Sequence, residues 1–146
     1  EGSFARALAM LARGDHAAAA DVLGALLEVE QVPLQRALLL NKRGVALIGC
    51  GHREAAEADF EAALACRPSY APALVNLGNM LLEADRVEDA VARYEAAITA
   101  DGDYARAHFN ASIAYKRQGR FDDAVRALRT AQKLEGRIRR KPSRGQ

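Results

Sequence analysis

The chain has 146 residues, half of them hydrophobic, with no tryptophan and a formal net charge of +2. That length suits one compact domain or one short array, and apolar content carried largely by alanine suits closely packed helices better than a sheet. No stretch approaches the roughly 20 apolar residues of a membrane span and no charged-then-apolar leader is visible, although the chain opens at Glu1 without methionine, so an upstream segment stays open.

Turn signals and apolar spacing predict eight helices, over 2–13, 15–29, 35–50, 53–66, 71–84, 87–100, 105–118 and 121–135. They pair two by two around Gly14, Gly51, Asp85 and Gly119. Such a turn needs left-handed backbone, which glycine takes freely and aspartate tolerates. The later second helices open on carboxylates: Glu54 and Glu57, Glu88 and Asp89, Asp122 and Asp123. Negative charge there complements the helix dipole and the free N–H groups. Pro33, Pro68 and Pro72 are placed between helices, where proline is tolerated.

The pairs repeat. Ala7, Gly44, Gly78 and Ser112 occupy one site, and the last three are 34 residues apart. The first is 37 residues away, which places three extra residues in the stretch Glu28 to Gln35. Twelve residues past each site stands Ala19, Ala56, Ala90 or Ala124, and four beyond that Leu23, Phe60, Tyr94 or Leu128. A fixed period in this range signals a solenoid, whose units bury their apolar faces against one another. Glycine inside a helix costs about 1 kcal/mol relative to alanine. Gly44 and Gly78 therefore mark a close helix contact. The alanine twelve residues on is the facing partner, with the larger side chain one turn away on the same face.

The repeats divide at about 1–33, 37–70, 71–104 and 105–136. All 19 acidic residues precede Gly136, and five of the 21 basic ones follow it: Arg137, Arg139, Arg140, Lys141 and Arg144. With Pro142, Ser143 and Gly145, residues 137–146 read as a basic, disordered tail. That tail is either a solvated end or a contact to a polyanion. It is too polar to form a further capping helix, so apolar residues at both ends of the array (Phe4, Leu8 and Leu11 at the first) stay open for self-association or a partner.

Residues 2 to 136 resemble the tetratricopeptide repeat family, with its small residue at position eight, alanine at twenty, aromatic at twenty-four, alanine at twenty-seven and proline at thirty-two. Position twenty-seven is Leu26, Ala63, Ala97 or Ala131, and only the second copy keeps the proline, Pro68. The resemblance implies an all-α fold, a right-handed α-solenoid of four helix–turn–helix repeats. It also implies that the first helix of each pair lines a concave groove for a partner's peptide segment. The groove positions carry Asn41 and Lys42 in copy two, and Val75, Asn76 and Asn79 in copy three. In copy four they carry Arg106, Phe109, Asn110, Ile113, Lys116 and Arg117. This groove is apolar at its N-terminal end and basic at its C-terminal end. Asn76 and Asn110 are similar to the asparagine ladder of O-linked N-acetylglucosamine transferase repeats, which holds a peptide backbone through amides that both donate and accept. The chaperone-tail subclass needs a clamp of lysine, asparagine and arginine. Val75 stands where its lysine belongs, so chaperone tails are not expected ligands.

Nothing in the sequence assembles a reaction centre. The paired carboxylates sit at helix starts with no nucleophile beside them. His16, His52 and His108 lack the further ligands a metal site needs, and no phosphate-binding glycine loop occurs. Cys50 and Cys66 end opposite helices of one pair, roughly 20 Å apart along an axis rising about 1.5 Å per residue. A disulfide needs Cα atoms within about 7 Å, so both are expected as free thiols in a reducing, cytoplasmic setting. The expected function is a non-enzymatic adaptor or scaffold without cofactor, metal or membrane span, binding a peptide with apolar and acidic residues. Two alternatives stay open: a targeting module of a larger enzyme, and a nucleic-acid or polyanion contact through the tail, with no specific nucleic-acid recognition expected.

Overall fold

The computed structural model describes residues 2–140, which form eight α-helices and no strand. In chain order these are α1 (Ser3–Arg13), α2 (His16–Val29), α3 (Pro33–Gly49), α4 (Arg53–Cys66), α5 (Ala71–Glu83), α6 (Val87–Ala100), α7 (Ala105–Arg117) and α8 (Phe121–Arg140). They fall into two compact units, Glu1–Asn76 and Leu77–Gln146, with the boundary inside α5.

Each helix pair turns in the same way. Gly14, Gly51, Asp85 and Gly119 all have positive φ, between 61° and 83°. The next residue reaches back over the helix end: Asp15 N–H donates to the Met10 carbonyl, His52 to Leu47, Arg86 to Leu81 and Arg120 to Tyr115, at 2.8–2.9 Å. This is the Schellman closure, which satisfies carbonyls the helix leaves open. Asp85 takes the left-handed conformation that three glycines take elsewhere, a modest cost that aspartate bears better than most residues.

In the first unit α1, α2, α3 and α4 pack in sequence. Its core gathers Ala7, Leu23, Leu27, Leu39, Leu40 and Ala73. Gly44 lies directly beneath the ring of Phe60, so close that a β-carbon there would enter the ring. The neighbouring Arg43 forms a two-pronged ion pair with Asp59, 2.8 and 2.9 Å, and Asp59 holds the guanidinium above its ordinary pKa. In the second unit α6 packs on α7 and α7 on α8. Ala90, Ala97, Ala107, Ala111 and Ala114 are all fully buried, which lets the helix backbones approach closely. Here Gly78 lies beneath the ring of Tyr94.

Three expectations need correction. Pro33 does not lie between helices; it is the first residue of α3, where its missing N–H has no partner to lose. Pro72 lies in the first turn of α5 for the same reason. The three extra residues are absorbed as helix: α3 has 17 residues where α5 and α7 have 13, four more, while the loop before it, 30–32, is one residue shorter than 67–70 or 101–104. At the other end, residues 137–140 are not a disordered tail. They continue α8, which is 20 residues long. Arginine is a good helix former, and Arg137, Arg139 and Arg140 near the C-terminus complement the helix dipole. The rest of the expected tail, residues 141–146, lies outside the described residues.

Candidate functional site

The residues assigned to the groove divide into an engaged polar set and an exposed set. In the first unit Asn76 Nδ2 donates to Asn41 Oδ1 at 2.8 Å. Asn41 is buried, so its amide serves this internal bond and presents no surface to a ligand. Val75 is fully buried as well, which removes it as an apolar anchor. A helix turns about 100° per residue, so Val75 faces inward while Asn76, its neighbour, reaches the half-buried rim. Lys42 is half-buried.

In the second unit Asn79 Oδ1 accepts two hydrogen bonds, from the Tyr94 hydroxyl at 2.6 Å and from Asn110 Nδ2 at 3.0 Å. The two bonds fix the Asn79 amide and leave Asn110 with its carbonyl and second N–H outside this contact. Burial pushes the Tyr94 phenol up to about 12, helped by the negative charge of Glu83 and opposed by Arg106. The phenol is therefore a neutral donor across the physiological range.

Arg117 was expected as a groove cation. Instead it is bound to the end of α5: one N–H donates to the Leu82 carbonyl at 3.1 Å and another to Asp85 at 2.8 Å. It caps an open helix terminus and pairs with the residue that makes the turn. Arg106 and Lys116 remain exposed on α7. Phe109 and Ile113, one turn apart, are exposed on that helix at 44% and 41%. Arg106, Phe109, Asn110, Ile113 and Lys116 follow helical spacing, so α7 carries one face with an apolar centre, an amide and a cation at either end.

The sequence contains two signals that find the engaged set. Tyr94 is the one hydroxyl-bearing member of the series Leu23, Phe60, Tyr94 and Leu128, and a buried phenol requires a partner nearby. Asp85 is the one charged turn residue among three glycines, and Arg117 stands one repeat further on to meet it.

Side chains suited to acid–base or metal chemistry are dispersed. His16 rests on Gly49, its Nδ1 buried without a hydrogen-bond partner. His52 is exposed before α4, and His108 Nε2 meets the Gly102 carbonyl at 2.9 Å. Cys50 and Cys66 are free thiols. Among the described residues no three histidine, cysteine or carboxylate side chains gather to hold a metal ion, and no helix is long and apolar enough to cross a membrane.

Three Tetratricopeptide repeat family models match the chain, over residues 2–25, 41–105 and 81–137. The chain belongs to the tetratricopeptide repeat (TPR) family, whose members are in general non-catalytic protein-interaction modules, and its fold is an all-α helical-repeat solenoid. A search of curated proteins finds no match. Among solved structures, a crystal structure of MamA is 21% identical with a TM-score of 0.74, covering 95% of this chain and 80% of that one. The second TPR domain of Spaghetti (RPAP3), bound to the HSP90 peptide SRMEEVD, is 24% identical with a TM-score of 0.63, covering 68% and 93%. YrrB, described as a TPR protein with an unusual peptide-binding site, is 17% identical with a TM-score of 0.66, covering 92% and 68%. At these identities the likeness is one of fold.

Proposed function

We propose that the chain is an adaptor that takes a short peptide segment of a partner protein on the exposed face of α7. The observation that carries this reading is the pair Phe109 and Ile113, held in solvent beside Asn110 and between Arg106 and Lys116. Exposed apolar side chains rimmed by cations suit a ligand with apolar anchors and acidic residues. Asn110 supplies an amide for the ligand backbone, and Asn79 with Tyr94 orients that amide in advance. The face has no arrangement for bond making, and the proposal is one of binding without catalysis, in a reducing compartment that keeps the two thiols free. That YrrB and the Spaghetti domain are described with peptides or peptide sites supports the same reading.

The test is selection from a random peptide phage library on immobilised protein. Peptides combining acidic and apolar residues should be enriched, and Phe109→Ala with Ile113→Ala should abolish their binding. Enrichment of peptides that bind this double variant equally well would refute the α7 face.

A second reading concerns the last described helix. Phe121, Val125 and Leu128 of α8 are exposed at 62%, 46% and 37%. They favour a further contact on α8, with a continuation of the same chain, another copy or another protein. Sedimentation across a concentration series tests for another copy.

A further inference from the structure

α8 carries a row of charge that α6, its equivalent one repeat earlier, lacks. Arg129, Lys133, Arg137 and Arg140 are all exposed and follow a spacing of four, four and three, so they share one face of the helix. The buried side chains of α8, Ala124, Ala127, Ala131 and Leu134, lie on the opposite side, where α7 packs. The four cations form no ion pair with another described residue, whereas Arg120 and Arg126 are held by Asp123. After Asp123, Glu135 is the sole carboxylate of α8, and its place two residues from Lys133 and from Arg137 turns it away from the row. On α6, Glu95 and Thr99 stand where Arg129 and Lys133 stand on α8. Both are exposed although α7 packs on α6. A helix that continued the array beyond α8 in the same register would therefore leave Arg129 and Lys133 open. It would cover Val125 instead, whose equivalent Val91 is 5% exposed. The four cations, with Gln132 and Gly136, line a depression of about 390 Å³. Gly44 and Gly78 yield their missing side chains to a ring, but a β-carbon on Gly136 would meet nothing within 4 Å. Gly136 thus leaves open space beside Lys133 and Arg140.

We propose that this face of α8 binds double-stranded nucleic acid through its phosphate backbone, without reading the bases. Arg129 to Arg140 spans about 16 Å along the axis, at roughly 1.5 Å per residue. A row of cations of that length matches a row of phosphates. Three of the four are arginines, whose forked guanidinium fits phosphate oxygens two at a time. None of the six lining residues is apolar or aromatic. The face thus has nothing to insert into a bilayer, to stack on unpaired bases or to anchor an apolar side chain of a peptide. Electrostatic attraction remains, which is how a duplex backbone is held.

The probes are two labelled duplexes of unrelated sequence, each of about 20 base pairs, titrated with the full chain by fluorescence anisotropy over about 50 to 200 mM salt. Both should bind alike, in about the micromolar range at the low-salt end. Each phosphate neutralised contributes about −0.9 to the slope of log affinity against log salt, so four cations give roughly −3.6. Arg129→Gln with Lys133→Gln should weaken binding about tenfold or more and make the slope shallower by about 1.8. Both positions are exposed, so the variant should stay folded, which circular dichroism checks. Asn110→Ala should leave duplex binding unchanged, which keeps it distinct from the α7 face. An affinity that ignores salt, or that differs by more than about tenfold between the two sequences, overturns the backbone mode. Binding unchanged in the first variant but lost in Lys141→Gln with Arg144→Gln overturns the assignment to α8. Poly-glutamate bound as tightly as duplex assigns the face to an acidic protein segment. Adhesion to phosphatidylglycerol vesicles without duplex binding assigns it to a lipid surface. A dimer in sedimentation that Arg129→Gln with Lys133→Gln dissolves, again without duplex binding, assigns it to a second copy. Each of these three overturns the proposal, as does a chain that binds none of the probes.

Discussion

Two helix contacts, one in each unit, are built on the same plan and finished differently. Beneath Phe60 lies Gly44, and beneath Tyr94 lies Gly78. In both, an aromatic ring occupies the space that a β-carbon would fill, and in both the ring is essentially inaccessible to solvent. The polar equipment around them diverges. Beside Gly44 stands Arg43, paired with Asp59; the residue beside Gly78 at that place is Leu77, 3% exposed. Tyr94 has a hydroxyl that reaches Asn79, whereas Phe60 has none. The repeat fixes where backbone meets ring, because a lost or added methylene is felt throughout a close-packed interior. It leaves the polar periphery free to vary. That freedom gives α7 an oriented asparagine in the second unit, and gives the first unit an asparagine pair turned inward.

The sharpest way to break the comparison is to fill the shared space. Gly44→Leu and Gly78→Leu should each destabilise the protein by about 3 kcal/mol or more, since both force a ring aside. In a domain of this size that lowers the melting temperature by roughly 6–12 °C. A melting temperature within a degree of wild type for either variant would show that the ring-over-glycine contact is not what holds that unit together.

The ion pair comes next. Asp59→Ala strands the Arg43 guanidinium and should cost about 2 kcal/mol. Adding Arg43→Leu, which copies the arrangement at Leu77, should recover part of that loss, because an apolar replacement leaves no stranded charge. The double-mutant cycle is read by urea unfolding. An additive pair of losses would show that the two side chains do not stabilise each other.

Tyr94→Phe converts the second contact into the first. Losing one neutral hydrogen bond should cost about 1 kcal/mol. The pH dependence gives a cleaner signature. Folding raises the phenol from 10.0 to about 12, so the folded protein keeps a proton that the unfolded chain releases. Stability from this group is full below about pH 10 and is lost as pH rises to about 12. Wild type should therefore lose more stability than Tyr94→Phe between pH 9.5 and 11.5, measured by urea unfolding. Equal losses would place the phenol in a more solvated setting than the ring contact provides.

The sequence discloses the contacts that depend on spacing. Gly44 and Phe60, or Gly78 and Tyr94, are found by counting, and so are the turn residues Gly14, Gly51, Asp85 and Gly119. It discloses less where one residue's rotation or partner decides the outcome. Val75 and Asn76 are neighbours, and both were assigned to the groove, yet a rotation of about 100° buries the first. Arg117 has the composition of a ligand-binding cation, but Asp85 and the Leu82 carbonyl claim it first. The cluster of arginines after Gly136 suggested disorder by composition. Leu134 is the last inward residue of α8, Ile138 one turn on is exposed, and the helix still continues to Arg140. Composition weighs charge, whereas helix continuation depends on local propensity and dipole.

The central claim is that the α7 face binds peptide through Asn110, oriented by Asn79 and Tyr94, with Phe109 and Ile113 as anchors. The most direct measurement is calorimetric titration of a library-selected peptide into wild type, Asn110→Ala, and an α6 control, Glu88→Ala. The expected result is about tenfold weaker binding for Asn110→Ala, the equivalent of about 1.4 kcal/mol, with Glu88→Ala unchanged. Undiminished affinity in Asn110→Ala, together with lost binding in Glu88→Ala, would contradict the claim and move recognition to the α6 surface.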